Sequence, residues 1–598
     1  MRQNRARGGM QIVAIFVIFA ICAAAVAAVF ISLARKDREE RNRYAAFYDY
    51  HTDLDPEAYA IVTGGETLRR AAPPEYTGGV LYIPHDYVAE YIDPYLFWEP
   101  WSGRLTVTNG ERVYKFSAGQ AEYTINFYST AFLEHPIYER DGVAYIPEGL
   151  LRTLYNTEIE YNPFAGGPKL VTVRDVYDGK DTSRAVITAE TARLRYAPGP
   201  KEPIYQSLAA GAEVLVFGEP VEAERETYIK VRSVDGVLGY VLEEELGDII
   251  TEPGKVREPD TYRPPIAETG GIVIGWQVFG SAEASGSAEA RQTAPGLDVL
   301  SPTWFSFDDS KRDGTIIDYG SVEYSRWAHS QGLQVWGLIT DNFSYEMSNA
   351  ILTNTEVREK VVRSLIEYAA AYEMDGINID FEMVSEADSK HYIQFLRELY
   401  PPLKERGLVL SVDMYVPSPW NMYYNRAEIA KTSDFLIVMG YDEHWDNYEI
   451  AGPNASINFV RNGITASLEE VPPEKLILGI PFFVRRWREE TNALGATVTT
   501  SSNASMDHTR SLFENHGAEF EWDAVTAHYY AEYTSTENGT SGLNKVWLED
   551  ARSMEEKLKL AVQHSLAGVA AWRMGYESPG IWDVINRYIL PYSETIAQ

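Results

Sequence analysis

Thiols are almost absent from this chain. Its 598 residues include one cysteine, Cys22, and that residue lies inside a long apolar run. Beyond the run no disulfide, zinc–thiolate centre or cysteine nucleophile can be built. A large thiol-free region is compatible with an extracytoplasmic life. Positive charge is also scarce: 53 Lys and Arg face 87 Asp and Glu, for a net charge of −34. The first 43 residues carry eight basic and three acidic side chains, so the rest bears −39. Such a surface repels polyphosphate and argues against a nucleic-acid partner. It leaves a neutral sugar polymer open.

What is present is ample for folding. A hydrophobic content of 45% and an aromatic content of 13% supply packed cores, and the length suggests three or four domains. Met10 to Ala34 lies within an uncharged run between Arg7 and Arg35, and about 20 apolar residues suffice to cross a bilayer. This reads as a single-pass anchor or an uncleaved signal, with cleavage near Ala23 to Ala28 left open. Arg2, Arg5 and Arg7 precede the run, while Arg35, Lys36, Arg38, Arg41 and Arg43 follow it. The basic residues therefore do not favour a cytoplasmic N-terminus, although long domains translocate largely regardless of such charges.

After this segment (1–43), Arg35 to Arg43 reads as a solvated stretch and Tyr44 to Ala72 as a connector. Residues 73–178 are β-rich, with two similar phrases, Leu81-Tyr82-Ile83-Pro84 and Ala144-Tyr145-Ile146-Pro147. Each predicts a strand, a proline stop and a short helix. Asn109-Gly110 predicts a type I′ hairpin. This region resembles the small module named after the copper amine oxidase N-terminal domain. His85 and His135 lack metal-ligand spacing, so no copper is expected. Residues 182–249 carry short strands about ten residues apart, which argues for a small barrel. The phrases Leu194-Arg195-Tyr196-Ala197-Pro198 and Asp235 to Val241 are similar to bacterial SH3-like domains, as a wall-peptide binder or a plain spacer. The proline- and charge-rich residues 251–269 read as a stiff linker.

From residue 270 to 598 strands and helices alternate. Eight strands, at Gly271 to Phe279, Val299 to Phe307, Leu333 to Thr340, Gly376 to Glu382, Val409 to Val416, Phe435 to Tyr441, Leu476 to Phe483 and Val569 to Met574, predict an α/β fold, a closed (β/α)8 TIM barrel. Excess length at about 485–547 predicts an inserted α+β subdomain, with Thr491 to Arg510 as a polar stretch. Ser553-Met-Glu-Glu556 resembles a capping box.

The fourth strand, Asp375-Gly-Ile-Asn378-Ile-Asp380-Phe-Glu382, has a period of two. It places Asn378, Asp380 and Glu382 on one face and Ile377, Ile379 and Phe381 on the other. Either an edge strand wets its polar face or the barrel buries it for chemistry. The motif resembles the Asp-x-x-Asp-x-Asp-x-Glu signature of glycoside hydrolase family 18, with Asn378 where chitinases usually carry aspartate. The resemblance implies that Glu382 is the general acid, that Asp380 orients the substrate's acetamido group, and that Tyr441 of Met439-Gly440-Tyr441-Asp442 hydrogen-bonds it. It further implies that Asp442 lines the cleft and Trp572 floors it, and that the reaction is a substrate-assisted, retaining hydrolysis with no metal or cofactor. An ionised Asp380, held by Asn378, is then expected to raise the pKa of Glu382. Asp413 and Tyr415 end the fifth strand as further substrate contacts. Trp304, Trp336, Trp420, Trp445 and Trp487 are sugar platforms or core. A divalent metal on Asp375, Asp380, Glu382 and Asp442 is the rival chemistry, disfavoured by the spacing. The expected partner is an N-acetylglucosamine glycan, peptidoglycan or chitin, cleaved by a membrane-anchored monomer with an extracytoplasmic barrel. A lectin is the alternative from another class.

Overall fold

The computed structural model describes residues 4–161, 168–256, 262–268, 271–445, 450–492, 495–537 and 539–596. Parts of the expected linker, 257–261 and 269–270, lie outside the described residues. The chain divides into two compact units.

The first unit is Met1–Leu105, Phe116–Tyr123 and Ala131–Pro259. One helix runs over Asn4–Arg41, and within it Ile15–Arg41 is long and apolar enough to cross a membrane. The expected solvated stretch is therefore helical as far as Arg41, and its polar end is bonded. Lys201 Nζ lies 3.0 Å from Asp37 and 3.3 Å from Glu40, and Arg41 Nη1 lies 3.1 Å from Glu226. The expected connector is also partly ordered into sheet. Ala60–Thr63 pairs in parallel with Leu170–Asp175 and antiparallel with Glu66–Leu68.

The two similar phrases fold alike, as strand Val80–Pro84 leading into helix His85–Tyr91 and strand Val143–Pro147 leading into helix Glu148–Tyr155. Pro84 and Pro147 sit at the N-cap with φ of −67° and −66°. Proline fixes that angle and donates no ladder bond, so the strand stops and the helix starts. The Asn109-Gly110 turn is not type I′, because neither residue has a positive φ. Instead Asn109 Oδ1 accepts from the amides of Glu111 and Arg112. His85 Nδ1 accepts from Ala144 N, a structural role. Residues 182–252 form a seven-stranded antiparallel sheet that includes Ile250–Glu252, so the expected linker begins as a strand. Val62 and Leu170 share one core with Val214, Val216 and Val231 of that sheet.

The second unit is Thr106–Lys115, Thr124–Thr130 and Asp260–Gln598. The hairpin tip expected in the stalk thus packs with the second unit. Lys115 is buried there, its Nζ 2.7 Å from Glu398 and 3.2 Å from Glu359, while Arg358 Nε lies 3.0 Å from Glu398. These two cations hold the buried Glu398 carboxyl down at about 2 against its desolvation.

Eight parallel strands close the barrel: β1 (Ile272–Gln277), β2 (Val299–Pro302), β3 (Gln334–Thr340), β4 (Gly376–Asp380), β5 (Val409–Tyr415), β6 (Phe435–Met439), β7 (Leu476–Pro481) and β8 (Gly568–Trp572). Closure comes from β8 pairing with β1, and β2 with β3. The β4 alternation decides its two faces. Ile377, Ile379 and Phe381 join the apolar layer beneath the outer helices, and the opposite face turns into the barrel. Gly376 is required at its foot, since a Cβ would meet the Trp336 ring at 2.8 Å.

Between β7 and β8 stands the inserted α+β element, a five-stranded antiparallel sheet with helix Met506–Asn515. The polar stretch expected there is the strand Thr497–Ser505 and the start of this helix. The helix Ala551–Gln563 is capped by Asp550 with Ser553 as the reciprocal partner, so it starts before the expected Ser553.

Candidate active site

The C-terminal ends of the barrel strands converge acidic and aromatic side chains, as strand termini do in this architecture. Asn378 and Asp380 point inward from β4, and Glu382 follows two residues after Asp380. Asn378 is fully buried. Its Oδ1 accepts from Trp276 Nε1 at 2.8 Å and from Ser301 Oγ at 3.2 Å, and its Nδ2 donates to Asp413 Oδ1 at 2.9 Å. The partner of the amide is therefore Asp413 on β5 and not Asp380. Asp413 itself is 3% exposed. Asp413, expected as a substrate contact, thus lies buried against the Asn378 amide.

Asp380 is 8% exposed, and its carboxyl hydrogen-bonds that of Glu382. Burial drives both upward, as it disfavours the charged form. Asp380 is pushed well above the ordinary range by desolvation and then by the charges of Glu382, Asp413 and Asp341. Glu382 rises to about 7, chiefly by desolvation, with the Asp341 and Asp442 charges adding to it and the Tyr415 hydroxyl opposing. Both carboxyls are thus held above their ordinary ranges, Asp380 as well as Glu382. Two carboxyls in contact in a dry site cannot both ionise near neutrality.

Tyr415 donates its hydroxyl to Glu382. Tyr441 is 8% exposed, and its ring meets Phe483 edge-on at 5.8 Å. Met439 ends β6 and is 8% exposed. Asp442 has φ of 60° and is held by Arg485 Nη2 at 2.5 Å. Trp572 ends β8, packs edge-on against Trp276 at 5.9 Å, and precedes a cis peptide bond to Arg573. Asp375 lies at the opposite end of β4, bonded to His329 and to Val335 N at 2.8 Å each. The rival metal set is therefore not assembled. Of the five ambiguous tryptophans, Trp304, Trp336 and Trp487 are buried in the core, whereas Trp420 and Trp445 are exposed at 58% and 53%.

Sequence reasoning missed Asp341. It follows β3, is fully buried, and accepts from Met383 N at 2.7 Å, Ser348 Oγ at 2.8 Å and Phe343 N at 3.0 Å. It therefore pins the backbone just after Glu382. Tyr424 completes the clamp by donating to Glu382 O at 2.8 Å. A carboxylate directly after a barrel strand was the available signal for Asp341. Tyr424, from a connecting loop, had none.

Residues 301–577 match the family model described as glycosyl hydrolases family 18. This barrel is a family 18 glycoside hydrolase domain. Residues 62–165 match the model of the copper amine oxidase N-terminal domain. An uncharacterized glycosylase, YvbX, of Bacillus subtilis is 24% identical over 340 residues, covering 54% of this chain and 94% of that protein. The cortical fragment-lytic enzyme of Bacillus subtilis is 27% identical over 309 residues, covering 50% of this chain and 69% of the relative. Among solved structures, the Bacillus cereus spore cortex-lytic enzyme SleL aligns with 21% identity and a TM-score of 0.46, covering 57% of this chain and 78% of that one. The family 18 domain makes this chain a glycan-hydrolysing enzyme.

Proposed function

We propose that the family 18 domain hydrolyses β-1,4 bonds next to N-acetylglucosamine in peptidoglycan, with retention and by substrate assistance. The observation that carries this reading is the Asp380–Glu382 pair, with Asp380 buried and Glu382 half-buried beside Tyr415 and Tyr441 and raised to about 7. Glu382 enters protonated and gives its proton to the glycosidic oxygen. Asp380 orients the substrate's acetamido group, and Tyr441 binds the acetamido oxygen. That oxygen attacks the anomeric carbon, and Glu382 then deprotonates the water that opens the ring intermediate. Net proton and charge balance is kept, because the proton that Glu382 loses to the leaving group is regained from water.

Substrate assistance is supported by the engagement, among the described residues, of each further carboxylate near the pair. Asp413 is bonded to Asn378, Asp341 to backbone amides, and Asp442 to Arg485. Peptidoglycan is supported by the cortical fragment-lytic relative. The apolar N-terminal helix supports a membrane-anchored enzyme with its barrel outside the cytoplasm. The sheet of residues 182–252 then serves as an SH3-like wall-facing module. Trp420 and Trp445 are exposed candidates for sugar contact.

The test is sugar release from purified peptidoglycan, and separately from chitin oligomers, by the full chain in detergent and by its E382Q variant. Release from peptidoglycan that E382Q loses is the expected result. Release from chitin oligomers alone moves the substrate to chitin. Glycan binding without release from either polymer would leave a lectin.

A further inference from the structure

Within the first unit, a small polar pocket lies where two sheets pack. Strands Thr157–Tyr161 and Leu170–Asp175 contribute Glu158, Glu160, Thr172 and Arg174. The other wall comes from the seven-stranded sheet. There Arg184, Leu215 and Arg232 stand in one cross-strand row, since Arg184 is opposite Leu215 and Leu215 opposite Arg232. Side chains in such a row share a face. The cavity measures about 140 Å³, equal to about four or five waters at about 30 Å³ each. That is room for one amino-acid headgroup.

Among the described residues, two of the buried or half-buried polar side chains at this pocket have no partner. Ser233 is 2% exposed, and its Oγ makes no hydrogen bond among the described residues. Arg232 is half-buried and makes no hydrogen bond or ion pair among the described residues, unlike Arg174, which lies 3.3 Å from Glu158. Desolvation lowers the Arg232 pKa, and the Glu160 charge opposes it most. A buried hydroxyl left unpaired costs about 1–3 kcal/mol, and a guanidinium is built to take a carboxylate in two parallel bonds. Acidic side chains line the same cavity, so a cationic group beside that carboxylate is accommodated as well.

We infer that this pocket binds the zwitterionic headgroup of a small amino acid, its carboxylate on Arg232 and Ser233 and its ammonium toward Glu160. The site lies outside the barrel and is independent of the glycosidase reading.

Equilibrium dialysis of labelled alanine against the full chain in detergent tests it, with N-acetylalanine, alaninamide and inorganic phosphate as competitors. Expected are saturable binding, affinity about tenfold weaker in Arg232→Gln, a smaller loss in Ser233→Ala, and sugar release unchanged in both. Alanine should outcompete N-acetylalanine, and alaninamide should not compete. Absence of saturable binding, or equal affinity in both variants, overturns the proposal. Phosphate competing as well as alanine overturns the amino-acid assignment. If Arg232→Gln unfolds, Ser233→Ala decides alone, and an affinity unchanged in that variant overturns the site.

Discussion

The side-chain amide of Asn378 donates to Asp413 Oδ1 over 2.9 Å, and neither group touches solvent to any extent. This bond links β4 to β5 beneath the acid pair and leaves Asp380 to Glu382 alone. Four predictions follow from the geometry around it.

Replacing the amide by a carboxyl removes the donor to Asp413 and buries a second acid beside it. N378D is expected to lose about 2 kcal/mol of stability, more at pH 8 than at pH 5. A buried acid has a folded pKa above its unfolded one, so its favourable protonated state is lost as pH rises. Chemical denaturation at the two pH values measures this. N378D/D413N restores a donor and an acceptor and should recover most of the loss.

Glu382 is a stability liability as well as the proposed acid. Its pKa is raised to about 7, so the native state binds the extra proton and stability falls as pH climbs from about 4.5 to about 7. E382Q removes that dependence. It should abolish sugar release while raising stability by about 2 kcal/mol at pH 8, after allowance for solvent screening, and change little at pH 4. An E382Q protein no more stable than the parent at pH 8 would contradict the shift.

The same carboxyl sets the alkaline limb of the rate profile. For the free enzyme kcat/KM should fall above about pH 7 as Glu382 loses its proton. Tyr415 donates to the ionised form and opposes the rise. Tyr415→Phe should therefore move the alkaline limb upward by about one pH unit, a displacement that a merely local packing defect would not produce.

Asp341 holds Met383 N, Phe343 N and Ser348 Oγ. D341A leaves these donors unpaired in a dry site and should cost about 2–4 kcal/mol. It should also lower kcat more than it raises KM, because Glu382 loses its fixed position and the sugar contacts remain.

Much of this was legible in the chain itself. Eight apolar strand segments with intervening amphipathic helices gave the barrel, because periodicity is local and each strand's faces are written in its own alternation. Ile377, Ile379 and Phe381 went outward for that reason. Glu382, Asp380, Tyr441 and Trp572 stood out as polar or aromatic residues at strand ends.

Tertiary structure alone decided who bonds whom. Asn378 takes its donors from Trp276, 102 positions away, and from Ser301, 77 away, and gives its own to Asp413, 35 away. No local pattern encodes those distances, since they exist only after β1, β2, β4 and β5 close into one wall. Burial is equally non-local. It separated Trp304, Trp336 and Trp487 from the exposed Trp420 and Trp445, and it pushed the Asp380 and Glu382 carboxyls upward together. The sequence determined which groups the site would contain; the closed barrel, by excluding water from them, determined their charge.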